Sequence, residues 1–588
     1  MAPHPPAEGD DEPFRQREEA MKKIKNKYVL IFSLVACLLS FNAYSYSKMD
    51  AGLDAGADGD ADVDTDTDMD ADMDADTDSD SDADAGLGHH VGAKEAADIA
   101  DIWYAMEVNA DFSELDEQER ITRINNIDDK KVSYVFSDGI FGEEISSKKE
   151  TAAYVFQYDP EGFVIVTGDD RMAPVLYFSI DSEFRMPVNG NGFMGCFLFQ
   201  KIPYYWDYVQ KQQMVSQHIS WWYLRNRLSE GANLLDVQHR ARSKSGDTNT
   251  RWNTAEWGQG IGLNETCHDG GYEYPYYKDE VAYATANEDV PTGCTATAMA
   301  IKMRFHSHPD TGNDDHSYYD YVGDDLIWHG AEFWSHSYDW SDMPKGKLTS
   351  ENDDIADLMY HCGVAVEMDY EECGAYSYFD ASSFDYFFNY IETEKLEYFD
   401  ESLYDSAFLD EIEESILGGL PVIWSEKCYT NDAHTMLITG YRDNEEFFIY
   451  INYGYDGIND GWVKELPGCI YPHDYGQLFV YSQPDDYVYV DIDAFEGDGT
   501  LEDPEICIHN GLNDIVDGGF LWIKDGTYTG ISNVPVTFKS KMDIAAYAGD
   551  VNIGNRLYLN HSTSDVHGRD LDTMRGRIVI RNGELEVK

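Results

Sequence analysis

Pro291-Thr292-Gly293-Cys294-Thr295-Ala296-Thr297-Ala298-Met299-Ala300 is the stretch around which the rest of the chain is read. A glycine precedes the cysteine and a run of small residues follows it. Cys294 is therefore expected in the first turn of a buried helix, with Ala300, Ile301 and Met303 continuing the apolar pattern until His306 and Pro309 close it. Thr295, Ala296, Thr297 and Ala298 are small enough to let other backbone approach closely. A thiol in that position lies at the positive end of the helix dipole among unpaired N–H groups. Both favour the thiolate, the form that attacks carbon. Taken alone, Cys294 reads as a small core cysteine; its company elsewhere in the chain overturns that.

About thirty-five residues upstream stands Trp257-Gly258-Gln259-Gly260. A glutamine amide beside a thiolate can donate, together with the cysteine's own backbone N–H, to the oxyanion of a tetrahedral intermediate. Downstream, Gly419-Leu420-Pro421-Val422-Ile423-Trp424 reads as a buried strand and Ala433-His434-Thr435-Met436-Leu437-Ile438-Thr439-Gly440-Tyr441 as another, with His434 at its start. Phe447-Phe448-Ile449-Tyr450-Ile451-Asn452 is a third, ending at Asn452 before a glycine-rich turn. Cys, His and Asn in that chain order, on a helix followed by strands, is the arrangement of papain-like peptidases.

These residues resemble one family, the streptopain-like cysteine peptidases. The likeness is carried by Trp257-Gly258-Gln259, Gly293-Cys294-Thr295-Ala296-Thr297-Ala298, Tyr338-Asp339-Trp340-Ser341-Asp342-Met343-Pro344, 358–366, Ala433-His434, Asn452-Tyr453-Gly454-Tyr455 and Asp460-Gly461. Earlier in the chain, Tyr154-Val155-Phe156 and 162–171 are similar to the inhibitory propeptide of that family. Together the resemblance covers roughly residues 96–483. It implies an α+β papain-like fold, with a helical half carrying Cys294, a β half carrying His434 and the cleft between them. By the same resemblance Cys294 is the nucleophile, His434 its base, Gln259 the oxyanion donor and Asn452 the residue that orients His434. Ala433 and Tyr453 depart from the family's usual Gly and Trp, which alters packing and shielding around the pair.

The remainder of the chain frames that centre. With 588 residues and a formal net charge of -70, the protein has material for three or four domains and a surface that would repel nucleic acid and anionic membranes. Residues 1–47 hold Lys22, Lys23, Lys25 and Lys27 ahead of an apolar run from 28 to 41, an export signal. Cleavage near Ala43-Tyr44-Ser45 ranks first; acylation at Cys37 or retention as a helical anchor would instead tie the chain to a membrane. Residues 48–95 are dominated by an Asp-rich repeat, with fifteen aspartates and no Lys or Arg between 51 and 88, and read as an extended tether rather than a calcium loop.

Residues 96–235 form an α+β pro-domain, in which 152–158 and 162–170, separated by Asp159-Pro160-Glu161, read as a β-hairpin and 214–228 as a helix. The basic, turn-rich segment His239-Arg240-Ala241-Arg242-Ser243-Lys244-Ser245-Gly246 is an exposed connector suited to proteolytic cutting. It opens the peptidase domain, 236–485. Residues 486–588 change to short, turn-punctuated apolar runs and resemble the opening of a right-handed parallel β-helix, a small all-β solenoid for adhesion or targeting.

Nine cysteines leave room for up to three disulfides once Cys37 and Cys294 are set aside, with Cys362 the best candidate for a buried free thiol. His306, His308 and His316 sit in a Pro/Gly/Asp-rich setting without nearby cysteine ligands and read as solvent-exposed, so no metal and no cofactor is expected. The resulting expectation is a cysteine endopeptidase, secreted or held at the cell surface and made as a zymogen. Its partners are protein or peptide substrates and its own pro-domain. The competing class is a catalytically silent surface binding protein that keeps the peptidase fold.

Overall fold

A computed structural model describes residues 89–110, 115–144, 150–186, 192–211, 217–229, 231, 233–235, 237, 249–259, 291–322, 325–348, 352–371, 374–399, 406–427, 433–443, 447–464, 475–495, 497–516, 519–529, 532–533, 541–553, 557–559, 578–581 and 584–587. The export segment, the Asp-rich run at 51–88 and the 239–246 connector lie outside the described residues, whereas 89–95, expected to belong to the tether, fold with the segment that follows, Val91 N–H donating to the Gly168 carbonyl and Ala93 opening a helix. No helix among the described residues is long and apolar enough to cross a membrane.

In the pro-domain, β1 (Lys131–Phe136), β2 (Phe141–Gly142), β3 (Thr151–Gln157), β4 (Phe163–Thr167) and β5 (Val175–Ser179) pair antiparallel. β3 and β4 are the expected hairpin. Their near-continuous apolar sequence has a simple cause, because both faces of this sheet are covered. Tyr154, Phe156, Val164 and Val166 pack under α1 (Ala93–Val108) through Ile99, Trp103 and Met106. Ala153, Val155, Phe163 and Ile165 alternate onto the other face against Ile202, Tyr205 and Val209 of α2 (Ile202–Lys211). The aromatic stretch after Met214 is helical over Ile219–Ser229.

In the peptidase region α3 (Cys294–His306) starts at the cysteine, and every residue from Thr295 to His306 is buried. Gly293 ahead of it holds φ 87°, and a Cβ there would come within 3.0 Å of Met368 and Ala375 side-chain atoms. Only glycine makes that entry without strain. α3 packs on α4 (Asp353–Ala365) and on the sheet, and its small residues permit the close approach.

That sheet holds β6 (Asn249–Arg251), β7 (Glu394–Phe399), β8 (Val422–Lys427), β9 (Ala433–Asp443), β10 (Phe447–Asn452), β11 (Gly461–Val463) and β12 (Tyr475–Val480). The order is β7-β12-β8-β9-β10-β11-β5-β4-β3-β1-β2, with β6 on β9, so the two domains share one twelve-stranded sheet. The join is the pairing of β11 with β5, Trp462 opposite Phe178 and Val463 opposite Tyr177. The pro-domain thus adds itself to an open sheet edge, satisfying backbone groups that would otherwise face water or a new partner.

Beyond residue 486, β13 (Tyr487–Val490), β14 (Phe520–Tyr528) and β15 (Lys541–Ile553) pair in parallel, and α5 (Ile508–Asp514) crosses between the first two. β16 (Leu557–Leu559), β17 (Ile578–Arg581) and β18 (Glu584–Val587) then add antiparallel, giving a six-stranded sheet among the described residues. The expected β-helix coils do not form among the described residues, because α5 crosses between β13 and β14 and the strands after β15 return antiparallel. Taken together the chain is mixed α/β. Cys294, Cys362 and Cys507 are free thiols, whereas Cys196 is disulfide-bonded. Cys362 is fully buried, as the apolar run around it suggested.

Candidate active site

The end of the sheet beneath α3 gathers the four residues singled out in the sequence, though not in the relations first expected. Cys294 is half-buried at the first turn of α3, whose opening residues are locked in place. Thr297 donates both N–H and Oγ1 to the Gly293 carbonyl, and Thr295 Oγ1 donates to the Ser377 carbonyl at 3.1 Å. Thr295, Thr435 and Ser425 form a hydroxyl ladder, at 3.2 and 2.9 Å, that ties the helix start to β9 and β8.

His434 is buried on β9, opposite Glu426. Its Nε2 lies 2.9 Å from the Tyr453 carbonyl, which can only accept, so the ring carries its proton on Nε2 and leaves the Nδ1 lone pair free to take one. Burial pushes the Cys294 thiol up, but the hydrogen bond and charge of His434, with the Thr435 backbone and hydroxyl, outweigh it and bring the thiol down to about 7. The pair is therefore within hydrogen-bond reach with the 89–198 region docked on the same sheet.

Asn452 makes no hydrogen bond to His434, against the expectation that it orients the imidazole. Its amide donates to Thr254 Oγ1 at 2.9 Å and the Ala255 carbonyl at 2.8 Å, and its Oδ1 accepts from Gly454 N–H. Leu437 stands opposite Asn452, so His434 lies beyond the end of β10. There the backbone of the next residue meets the ring, and Asn452 fixes the turn that supplies that carbonyl.

Two tyrosines complete the surround, Tyr453, which the sequence reading treated as packing and shielding, and Tyr455, to which it gave no role. Tyr453 and Tyr455 flank the imidazole, with centroids 4.6 and 5.2 Å away, and Tyr455 lies nearly parallel to it. Gln259 is anchored through its carbonyl, which accepts from Thr292 N–H and Oγ1 just ahead of Cys294. Its side chain hydrogen-bonds the Tyr455 hydroxyl. Burial and the nearby Cys294 hold that phenol protonated, and the Gln259 contact opposes them. The amide thus already has a partner in the Tyr455 hydroxyl.

The pro-domain reaches the same corner. Met194 N–H donates to the Tyr453 hydroxyl at 3.0 Å, a contact that a tryptophan at 453 could not accept. Asn459 exchanges two hydrogen bonds with the Arg185 backbone, and Ser182 Oγ donates to the Gly457 carbonyl. Two buried ion pairs cross the seam, Glu107 with Arg442 and Lys201 with Glu426, the latter one strand away from His434. Asp460, whose Oδ1 accepts from Tyr453 N–H, is pushed up to about 8 by burial. Against the expectation of solvent exposure, His306 and His308 are buried; His306 and His316 have separate partners, Tyr390 and Glu367, and do not converge with His308.

Residues 271–463 match the Peptidase C10 family, and residues 89–198 match the Spi protease inhibitor family. The chain is 23% identical over 441 residues to the thiol protease/hemagglutinin PrtT of Porphyromonas gingivalis, covering 72% of this chain and 45% of that protein. It thus spans about half the length of this curated relative. Among solved structures it is similar to a prointerpain A fragment from Prevotella intermedia, at 22% identity over 57% of this chain and 96% of that one, TM-score 0.40. It is also similar to active interpain A of the same organism, at 22% identity over 40% and 94%, TM-score 0.31.

Proposed function

We propose that this chain is a secreted cysteine endopeptidase made as a zymogen, with residues 96–235 as its inhibitory pro-domain and 236–485 as a papain-like peptidase domain. The observation that carries the reading is the hydrogen-bonded Cys294–His434 pair at a buried helix start, with the thiol brought down to about 7. A thiolate there attacks the carbonyl carbon of a bound peptide. The oxyanion that forms is met by the Cys294 N–H and the Gln259 amide, and His434 delivers a proton to the leaving amine. Water then attacks the acyl-enzyme with His434 as base. Tyr453 and Tyr455 keep solvent off the imidazole, and the Tyr453 carbonyl fixes its tautomer. The C10 and Spi matches support the same division of labour between the two domains.

The pro-domain holds the enzyme silent by docking on β11 and the 453–460 turn beside the pair, and cutting at 240–245 converts a tethered inhibitor into one that can diffuse away. The C-terminal strands form a separate sheet that serves adhesion or targeting. The test is hydrolysis of unfolded casein by the full chain, cut and uncut, beside Cys294→Ala. The cut parent should be active, the uncut chain silent and the variant inactive yet folded. Casein hydrolysis by Cys294→Ala at the parent rate would overturn the reading. Because Cys196 is disulfide-bonded, pro-domain release is followed on reducing and non-reducing gels alike.

A further inference from the structure

The helix that begins at Cys294 ends in a second cluster of ligating side chains, at the junction with the C-terminal strands. His308 follows the last turn of α3 and is more than nine-tenths buried, its ring edge-on to Tyr390 at 5.3 Å. Asp485 and Asp486 lie in the link between the two-residue strand Gln483–Pro484 and β13. One ligand atom from each of the three residues falls within 4.8 Å of the others.

His308 Nε2 lies 2.9 Å from the Asn389 carbonyl, which can only accept, so the proton sits on Nε2 and Nδ1 presents a bare lone pair. The atom facing that lone pair is Asp486 Oδ1, 3.5 Å away, another acceptor. Asp486 Oδ1 is buried and has no hydrogen-bond partner among the described residues. Two acceptors facing each other out of solvent repel unless something positive lies between them.

A proton shared between them would draw the atoms to about 2.7–2.9 Å, the length of a charge-assisted hydrogen bond. The observed gap is longer. It is close to the separation, about 3.4 Å, that follows when a nitrogen and an oxygen each bind one tetrahedral ion at about 2.0–2.2 Å. Asp485 Oδ1 stands 3.7 Å from Nε2 of the same ring, one oxygen of its neighbour Asp486 faces Nδ1, and the Asn389 carbonyl that receives the Nε2–H also accepts from Asp485 N–H at 3.0 Å. A histidine whose far N–H is fixed by a backbone carbonyl, with its near nitrogen free, is the usual arrangement of an imidazole metal ligand.

We propose that His308, Asp485 and Asp486 bind one divalent transition-metal ion of the zinc type, held through His308 Nδ1 and one oxygen of each carboxylate, with solvent completing the shell. The ion staples the end of α3 to the start of the C-terminal strands. The sequence reading set this histidine aside because it weighed only its neighbours, His306 and His316, whereas both carboxylates stand more than 170 residues further on.

The test titrates Co²⁺ alone into the full chain carrying Cys294→Ala, so that neither the catalytic thiol nor self-cleavage intervenes. Cobalt bound through imidazole in a low-coordinate site gives an intense visible band, whereas the Asp-rich run at 51–88 holds no imidazole and offers carboxylates and water, which colour weakly. One equivalent should produce the band, zinc should bleach it, and saturation should raise the melting temperature. His308→Gln should abolish the band. Asp486→Asn and Asp485→Asn, isosteric changes at partly exposed positions, should each weaken binding at least tenfold while leaving the near-ultraviolet circular dichroism unchanged. A band that fails to form, or that forms with parental affinity in His308→Gln and Asp486→Asn, overturns the proposal.

Discussion

Removing the Glu107 carboxylate should loosen the pro-domain more than any other single change at the seam. Arg442 Nη1 donates to both Glu107 oxygens, at 2.9 and 3.0 Å, and the two side chains are only 2% and 1% exposed. Glu107→Ala would remove both carboxylate acceptors from a guanidinium that cannot shed its proton in a dry interface, which costs about 3–5 kcal/mol. Once the pro-domain departs, Arg442 regains water, so the penalty falls on the complex rather than on the free peptidase. At about 1.4 kcal/mol per factor of ten, inhibition of the cut enzyme by the separate 89–235 segment should weaken by roughly two to three orders of magnitude. The assay is the inhibition constant against a fluorogenic peptide, with circular dichroism showing that the segment remains folded. Glu107→Leu combined with Arg442→Met should recover most of the loss, because replacing both partners by apolar groups is close to neutral. An inhibition constant within threefold of the parent, or a double variant no better than the single, would refute the reasoning.

Alkylation of Cys294 by iodoacetamide should rise through a midpoint near pH 7, because the thiol is brought down to about 7 and the thiolate is lost as pH falls below it. Cys362, pushed up by burial, should stay unmodified over the same range. Gln259→Ala should lower kcat on the order of 10²–10³ with the backbone donor remaining; an unchanged kcat would remove Gln259 from the oxyanion site. Asn452→Ala should cost about 1–3 kcal/mol of stability in a denaturant melt, since buried Thr254, Ala255 and Gly454 groups lose a partner. It should lower kcat/KM far less than His434→Ala, and equal losses would return Asn452 to the role of orienting the imidazole.

What the sequence made legible follows local rules. The β3–β4 hairpin could be read because two short apolar, aromatic and β-branched runs flank Asp159-Pro160-Glu161. The start of α3 could be read because a glycine and small residues bracket Cys294. Cys294, Gln259 and His434 stood out by residue type and by the motifs they share with the streptopain-like peptidases. What stayed hidden depends on contacts between segments far apart. Nothing local says that Asn452 would bond to Thr254 and Ala255 while the Tyr453 carbonyl meets His434, since the outcome turns on where β10 ends against β9. The joining of β5 to β11, which makes one sheet of two domains, pairs residues more than 280 apart. The antiparallel return after β15 was equally out of reach, because repeated short apolar runs do not declare the direction of their neighbour.

The most direct test of the central claim is to map where a thiol-directed epoxide attaches before and after the chain is cut between residues 238 and 248. A single adduct on Cys294 in the cut protein, absent or much slower in the uncut precursor and lost in His434→Ala, is the predicted result. Equal labelling of cut and uncut chains, or casein hydrolysis that persists with Cys294 fully modified, would contradict it.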